Sequence, residues 1–239
     1  MANTFRNDIY RPTKTLSFIV MGLFGTLVLC AVFKILFSVM MIALPDVQMD
    51  LDKGEQLHIG LALIGLVAIL EILLRVATIV FFLIWEYRAF NNLSALQARN
   101  LEFSPGWAVG WWFIPFANLV KPFQVIRELW NESDSDFDEE TGFLNTSPGT
   151  PEIVGFWWAA FLLFSISARI VDKLVDSNSG DPSAAFPVVL IVASLLQIAA
   201  AGLALVIVKN ITQRQEKRFA KIGMAQEFAP PPPPTFDER

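Results

Sequence analysis

Four long apolar runs set the pattern of this chain: residues 16–44, 58–85, 153–175 and 184–211. A helix of about 20 apolar residues crosses the ~30 Å hydrocarbon layer of a bilayer, so each run predicts a transmembrane helix. The second run passes without a break into Glu86-Tyr87-Arg88-Ala89-Phe90-Asn91-Asn92-Leu93, predicted to continue as helix beyond the membrane. A fifth apolar segment breaks the pattern. Gly106 to Val120 is Trp-rich and uncharged, yet as a helix it would measure only roughly 22 Å. Runs of that size are typically re-entrant or interfacial, and both readings stay open here.

The local signals inside Ser104–Trp130 predict a hairpin of two short helices. Ser104-Pro105 is a start signal, because a Ser side chain caps free N–H groups and Pro at the first helical position has none to leave unpaired. Gly106 and Gly110 stand four apart, as do Trp107 and Trp111. That spacing predicts a bare face packed against a neighbouring helix beside a face of large indoles. Pro115 breaks the helix, and Asn118 and Pro122 open a second one. There Phe123, Ile126 and Trp130 share a face opposite Gln124, Arg127 and Glu128. Trp107 and Trp111 are expected at headgroup level, where an indole is half buried and its N–H stays wet.

Composition agrees with a membrane protein. Hydrophobic residues make up 54% of the 239, 21 of them Phe, and mean hydropathy is +0.50. The net charge of −5 comes largely from acids crowded into 131–140, which argues against nucleic-acid binding. The segment 132–150 has a composition that cannot bury enough apolar surface to order itself. Basic residues set the orientation. Arg6, Arg11 and Lys14 precede the first run, Arg88, Arg99, Lys121 and Arg127 lie between the second and third, and Lys209 to Lys221 follow the fourth. Four spans with both termini cytoplasmic put every basic cluster inside, whereas a fifth would send the C-terminal cluster out. The expected partition is a tail at 1–15, a membrane domain at 16–211 and a basic, Pro-rich tail at 212–239. Its 230–234 prolines would be an extended polyproline segment.

Candidate chemistry is sparse. Glu71 and Arg75 lie one turn apart on the second run and are expected to pair along one helix face. Lys34 and Arg169 fall nearer the outer side, where they could snorkel. Ala200 and Ala204 are spaced for close helix contact. His58 is the single histidine and Cys30 the single cysteine, so no His or Cys metal cluster, intramolecular disulfide or distributed histidine base can be assembled. Gly106-x-x-x-Gly110 lacks the Lys-Ser/Thr of a phosphate loop. No catalytic, cofactor or metal residue is therefore assigned. The expected function is a non-catalytic membrane interaction or scaffold module. Its partners would be the lipid bilayer and a protein engaged through the Trp-rich hairpin or the Pro-rich tail. The alternative is a small transporter or channel component using Glu71 and Arg75, with Lys34 and Gln197.

Several residues form a recognisable set: Trp85, Arg88, Asn92 and Leu93, then Ser104 through Pro115 with Trp107, Gly110, Trp111 and Trp112, followed by Asn118, Leu119, Pro122 and Glu128-Leu129-Trp130. This set resembles the bacterial integral membrane family known as domain of unknown function 4328, over roughly 61–208. The resemblance implies an all-α, multi-span protein of the bacterial cytoplasmic membrane with the Trp-rich stretch as hallmark. It implies no activity and no catalytic residues.

Overall fold

The computed structural model describes residues 9–43, 54–98, 101–133, 152–176 and 185–227, and every regular element among them is helical. Six α-helices follow one another: α1 (Lys14–Ala43), α2 (Gly54–Ala95), α3 (Pro105–Gly110), α4 (Lys121–Glu132), α5 (Glu152–Asp176) and α6 (Ala185–Glu227). The four predicted runs lie on α1, α2, α5 and α6 to within a residue at their ends. Two helical stretches, Lys14–Met40 and Pro187–Met224, are long and apolar enough to cross a membrane. Within their most apolar windows 22% and 44% of the residues are buried. The same exposed apolar surface continues on α2 through Val67, Ile72 and Ile79, and on α5 through Phe156, Leu163 and Ile166. Exposed apolar side chains thus occur on all four long helices.

α6 packs along α1 on one side and α5 on the other, while α1 also packs on α2. Ala200, Ala201 and Ala204 are buried in that arrangement, as the small-residue spacing requires. α2 and α6, at 42 and 43 residues, would be roughly 63–65 Å long, twice the hydrocarbon thickness. The core collects at the end where α1 begins, α2 finishes, α5 begins and α6 runs on. It includes Leu16, Val20, Phe82, Trp85, Phe90, Leu93, Trp157, Trp158, Ile207 and Ile211.

α2 ends at a defined stop. Gln97 adopts φ 61°, the Ala98 N–H donates to the Leu93 carbonyl (2.9 Å), and the Gln97 N–H donates to that of Ser94 (3.1 Å). This is a Schellman stop made with Gln where Gly is usual, so sequence gave no warning of it. Residues 9–13 are not a free tail. The Asn92 side chain accepts the Arg11 N–H (3.0 Å) and donates to the Arg11 carbonyl (2.9 Å), copying a backbone pairing. Tyr10 stacks on Phe219 at 4.2 Å, tying the same segment to α6. The 132 boundary of the acidic segment also moves, because Glu132 is helical and Ser133 is buried. Residues 1–8, 134–150, the 177–182 turn, the 230–234 prolines and the side chain of His58 lie outside the described residues.

Candidate functional site

The Trp-rich stretch is a hairpin, as predicted: α3, a 3-10 turn at Trp111–Phe113, a reversal at Pro115-Phe116, a second 3-10 turn at Ala117–Leu119, then α4. Pro105 opens α3 and Pro122 sits in the first turn of α4. Ser104 occupies the cap position, but its hydroxyl makes no capping bond; its carbonyl accepts the Ala108 N–H (2.9 Å). Phe116 turns the chain with φ 64°, a region costly for a residue with a side chain. On α4, Val125, Ile126 and Leu129 are fully buried against the bundle. The Glu128 carboxylate ties α4 to the hairpin entry by accepting the N–H groups of Glu102 and Phe103. Burial raises its pKa from the usual value despite those two bonds.

Glycine packing differs from expectation. A Cβ built on Gly110 meets Cε3 of Trp107 at 3.3 Å, within its own helix, and one built on Gly106 meets nothing within 4 Å. Gly110 thus makes room for an indole rather than for a neighbouring helix, and Gly106 faces open space. The Trp107 and Trp111 rings meet in a tilted pair at 4.9 Å, with Trp107 54% exposed. Lys121 lies over Trp111 (5.7 Å) and Phe103 (5.1 Å).

Trp112 points the other way and locks the hairpin to the bundle. Its ring meets Phe82 on α2 and Trp158 and Phe161 on α5, each at 5.9 Å. Its indole N–H donates to Oε2 of Glu86 at 2.8 Å. Glu86 is completely buried, and its other oxygen has no partner; the indole nitrogen of Trp111 is likewise buried and unpaired. Glu86 lies just past the apolar 58–85 run. Burial among apolar rings pushes its pKa up to about 8, opposed by the Trp112 bond. Sequence reading passed over Glu86 as the first residue of a polar extension. The missed signal was periodic: Trp85, Ala89, Phe90 and Leu93 are all buried, and Glu86 falls inside that stripe.

The second polar site joins α1, α2 and α6. Oε1 of Glu71 accepts both Nη2 of Arg75 (2.8 Å) and Nζ of Lys34 (2.7 Å). Lys34 also donates to the Gln197 side-chain carbonyl (3.0 Å), and the Gln197 amide donates to the Leu27 carbonyl (3.0 Å). Arg75 lies 5.6 Å from the centre of the Phe164 ring of α5. The expected Glu71–Arg75 pair is present, and Lys34 is drawn inward to it instead of snorkelling away. Arg169 is exposed.

Other singled-out residues have structural partners or stand apart. Trp130 is covered by the Arg214 guanidinium at 4.2 Å and offers that side chain its carbonyl (3.4 Å). Arg218 donates to the Glu132 carbonyl. Two of the five cations from Lys209 to Lys221 therefore hold α4. Asn92 clamps the Arg11 backbone, Pro115 and Arg88 are exposed, and Asn118 is half-buried with its N–H on the Ile114 carbonyl (3.0 Å).

The model of the family described as Domain of unknown function (DUF4328) matches residues 50–213, which include the hairpin, Glu71 and Glu86. No curated protein and no solved structure matches. With about two thirds of its length inside that match, the chain belongs to the DUF4328 family.

Proposed function

We propose that the protein is a four-span, non-catalytic module of the bacterial cytoplasmic membrane, with both termini inside and the Trp-rich hairpin as its interaction surface. The observation that carries this reading is the pairing of a locked base with a bare tip. Trp112, Glu128 and the α4 face fasten the hairpin to the bundle, while Phe113 (71%), Phe116 (85%), Leu119 (51%) and Val120 (52%) stand exposed beyond it. Exposed apolar side chains on a fixed scaffold are what a lipid or protein contact uses. The polar groups around the hairpin serve the scaffold: Asn92, Glu128, Arg214 and Arg218 are spent on backbone partners. The apolar belt on α1, α2, α5 and α6 supports four spans, since water would penalise it and hydrocarbon would not.

Topology is tested with single cysteines at Ser135→Cys and Ser177→Cys in a Cys30→Ala background, using a membrane-impermeant thiol reagent on cells stripped of any outer barrier. The expected result is labelling at 177 and protection at 135; the reverse would overturn the orientation. A second reading, a transport component, is favoured by the convergence of Lys34, Glu71, Arg75 and Gln197 from three helices. Ion flux through proteoliposomes that Glu71→Gln abolishes would select it over the interaction module.

A further inference from the structure

We propose that the hairpin is re-entrant: its tip, Phe113 to Val120, dips into the acyl layer of the cytoplasmic leaflet and takes lipid chains as its partner. The inference rests on the membrane reading above and resolves what the hairpin surface touches.

Depth comes from ring contacts. Trp112 meets Phe161, nine residues into α5 from its charged start at Glu152, about 13 Å along that helix. On α2 it meets Phe82, inside the 58–85 run and short of the polar extension. The Trp158 indole N–H, about 9 Å into α5, donates to the Leu119 carbonyl at 3.0 Å. Both arms of the tip are thus pinned to side chains below the headgroup level set by the end of α5. A hairpin lying flat on the surface would meet the first turn of α5 instead.

Chemistry of the tip agrees. No charged residue occurs from Gly106 to Val120. Backbone at membrane depth must have its hydrogen bonds satisfied within the protein. Here Pro115 has no N–H, and the N–H groups of Ala117, Asn118, Leu119 and Val120 donate to Pro115, Ile114, Phe116 and Ala117 (2.8–3.2 Å). The Trp158 bond covers the Leu119 carbonyl. The tip and the long helices expose the same kind of apolar side chain, so one solvent suits both. Directly after the tip stands Lys121, its ammonium over Phe103 and Trp111 and 3.7 Å from Glu102, where a cation meets headgroup phosphate. The depth of the tip, its uncharged surface and the flanking cation favour lipid over a second copy or a soluble partner.

The test uses full-length protein in liposomes, with nitroxide labels on single cysteines in the Cys30→Ala background: Phe116→Cys at the tip, Ile72→Cys as a lipid-facing reference and Ser135→Cys as an aqueous one. Collision rates with oxygen, which concentrates in hydrocarbon, and with a neutral nickel chelate, which stays in water, read out depth. The proposal expects position 116 to be oxygen-accessible and chelate-poor, shallower than 72 and clearly distinct from 135. A tip that matches 135 while 72 reads as lipid would overturn re-entry and leave the membrane reading standing. Low accessibility to both probes would also overturn it, by showing the tip covered by protein. If 72 itself reads as aqueous, the membrane reading fails and the tip proposal with it.

Discussion

Glu71 and Glu86 stand fifteen residues apart on α2, and they sit in opposite worlds. Glu71 is shared by two cations from two helices in the loosely covered apolar part of the bundle. Glu86 is sealed in the aromatic end with one indole N–H for company and, among the described residues, no ion pair. The first site holds helices together by charge; its position requires that Glu71 be ionised to satisfy Lys34 and Arg75. The second holds the hairpin by packing and one hydrogen bond, and its surroundings favour the neutral acid. Residue type therefore does not decide the role of a buried glutamate. The neighbours brought to it by the fold do.

The largest expected effect separates the two sites by pH. With the folded pKa of Glu86 raised to about 8 from an ordinary 4.5, the native state holds a proton that the unfolded chain has released. Its stabilising contribution is complete below about pH 4.5 and is lost as pH rises through about 8, by up to about 1.4 kcal/mol per unit. Glu86→Gln should abolish most of this slope and leave the variant more stable than the parent at pH 8. Denaturant titrations in detergent at pH 5, 7 and 9, followed by Trp fluorescence, provide the check. Equal slopes in both proteins would place the titration elsewhere.

Next in size is Glu71. Glu71→Gln strands both Lys34 and Arg75 and should cost about 3 kcal/mol, whereas Arg75→Gln leaves the Lys34 pair intact and, at a more exposed position, should cost about 1 kcal/mol. The geometry thus predicts unequal single losses in place of a simple two-residue pair. Adding Lys34→Gln and Arg75→Gln to Glu71→Gln should recover part of the loss, measured by the same titrations. Similar costs for Glu71→Gln and Arg75→Gln would mean that Lys34 contributes nothing.

Asn92→Ala removes both bonds to the Arg11 backbone at the aromatic end and should cost about 2 kcal/mol. Hydrogen exchange should then show faster exchange at Arg11 with the Glu71 level unchanged. Unaltered protection at Arg11 would show the segment held by the Tyr10–Phe219 stack instead. The smallest effect concerns the glycines. Gly106→Ala, with free space at Cβ, should gain up to about 1 kcal/mol of helix stability. Gly110→Ala should gain less, because the Trp107 ring must shift by a few tenths of an ångström. Equal gains from the two, in melting temperature, would show that the ring yields without cost.

Sequence by itself determined the long helices, the hairpin between them and the Glu71–Arg75 pair. Those features depend on local spacing: uninterrupted apolar runs, Pro105 and Pro122 at helix starts, and an i,i+4 charge pair. Tertiary structure alone decided that Lys34 and Gln197 join that pair, that Glu86 meets Trp112, that Arg214 and Arg218 turn inward to α4, and that Gly110 accommodates Trp107 rather than another helix. Each of these outcomes except the last joins residues far apart in the chain. The last depends on which rotamer Trp107 takes once Lys121 and Trp111 are in place. Periodicity says which face of a helix is buried, but the free energy of a buried charge depends on the partner waiting there, and only the packed bundle supplies that partner.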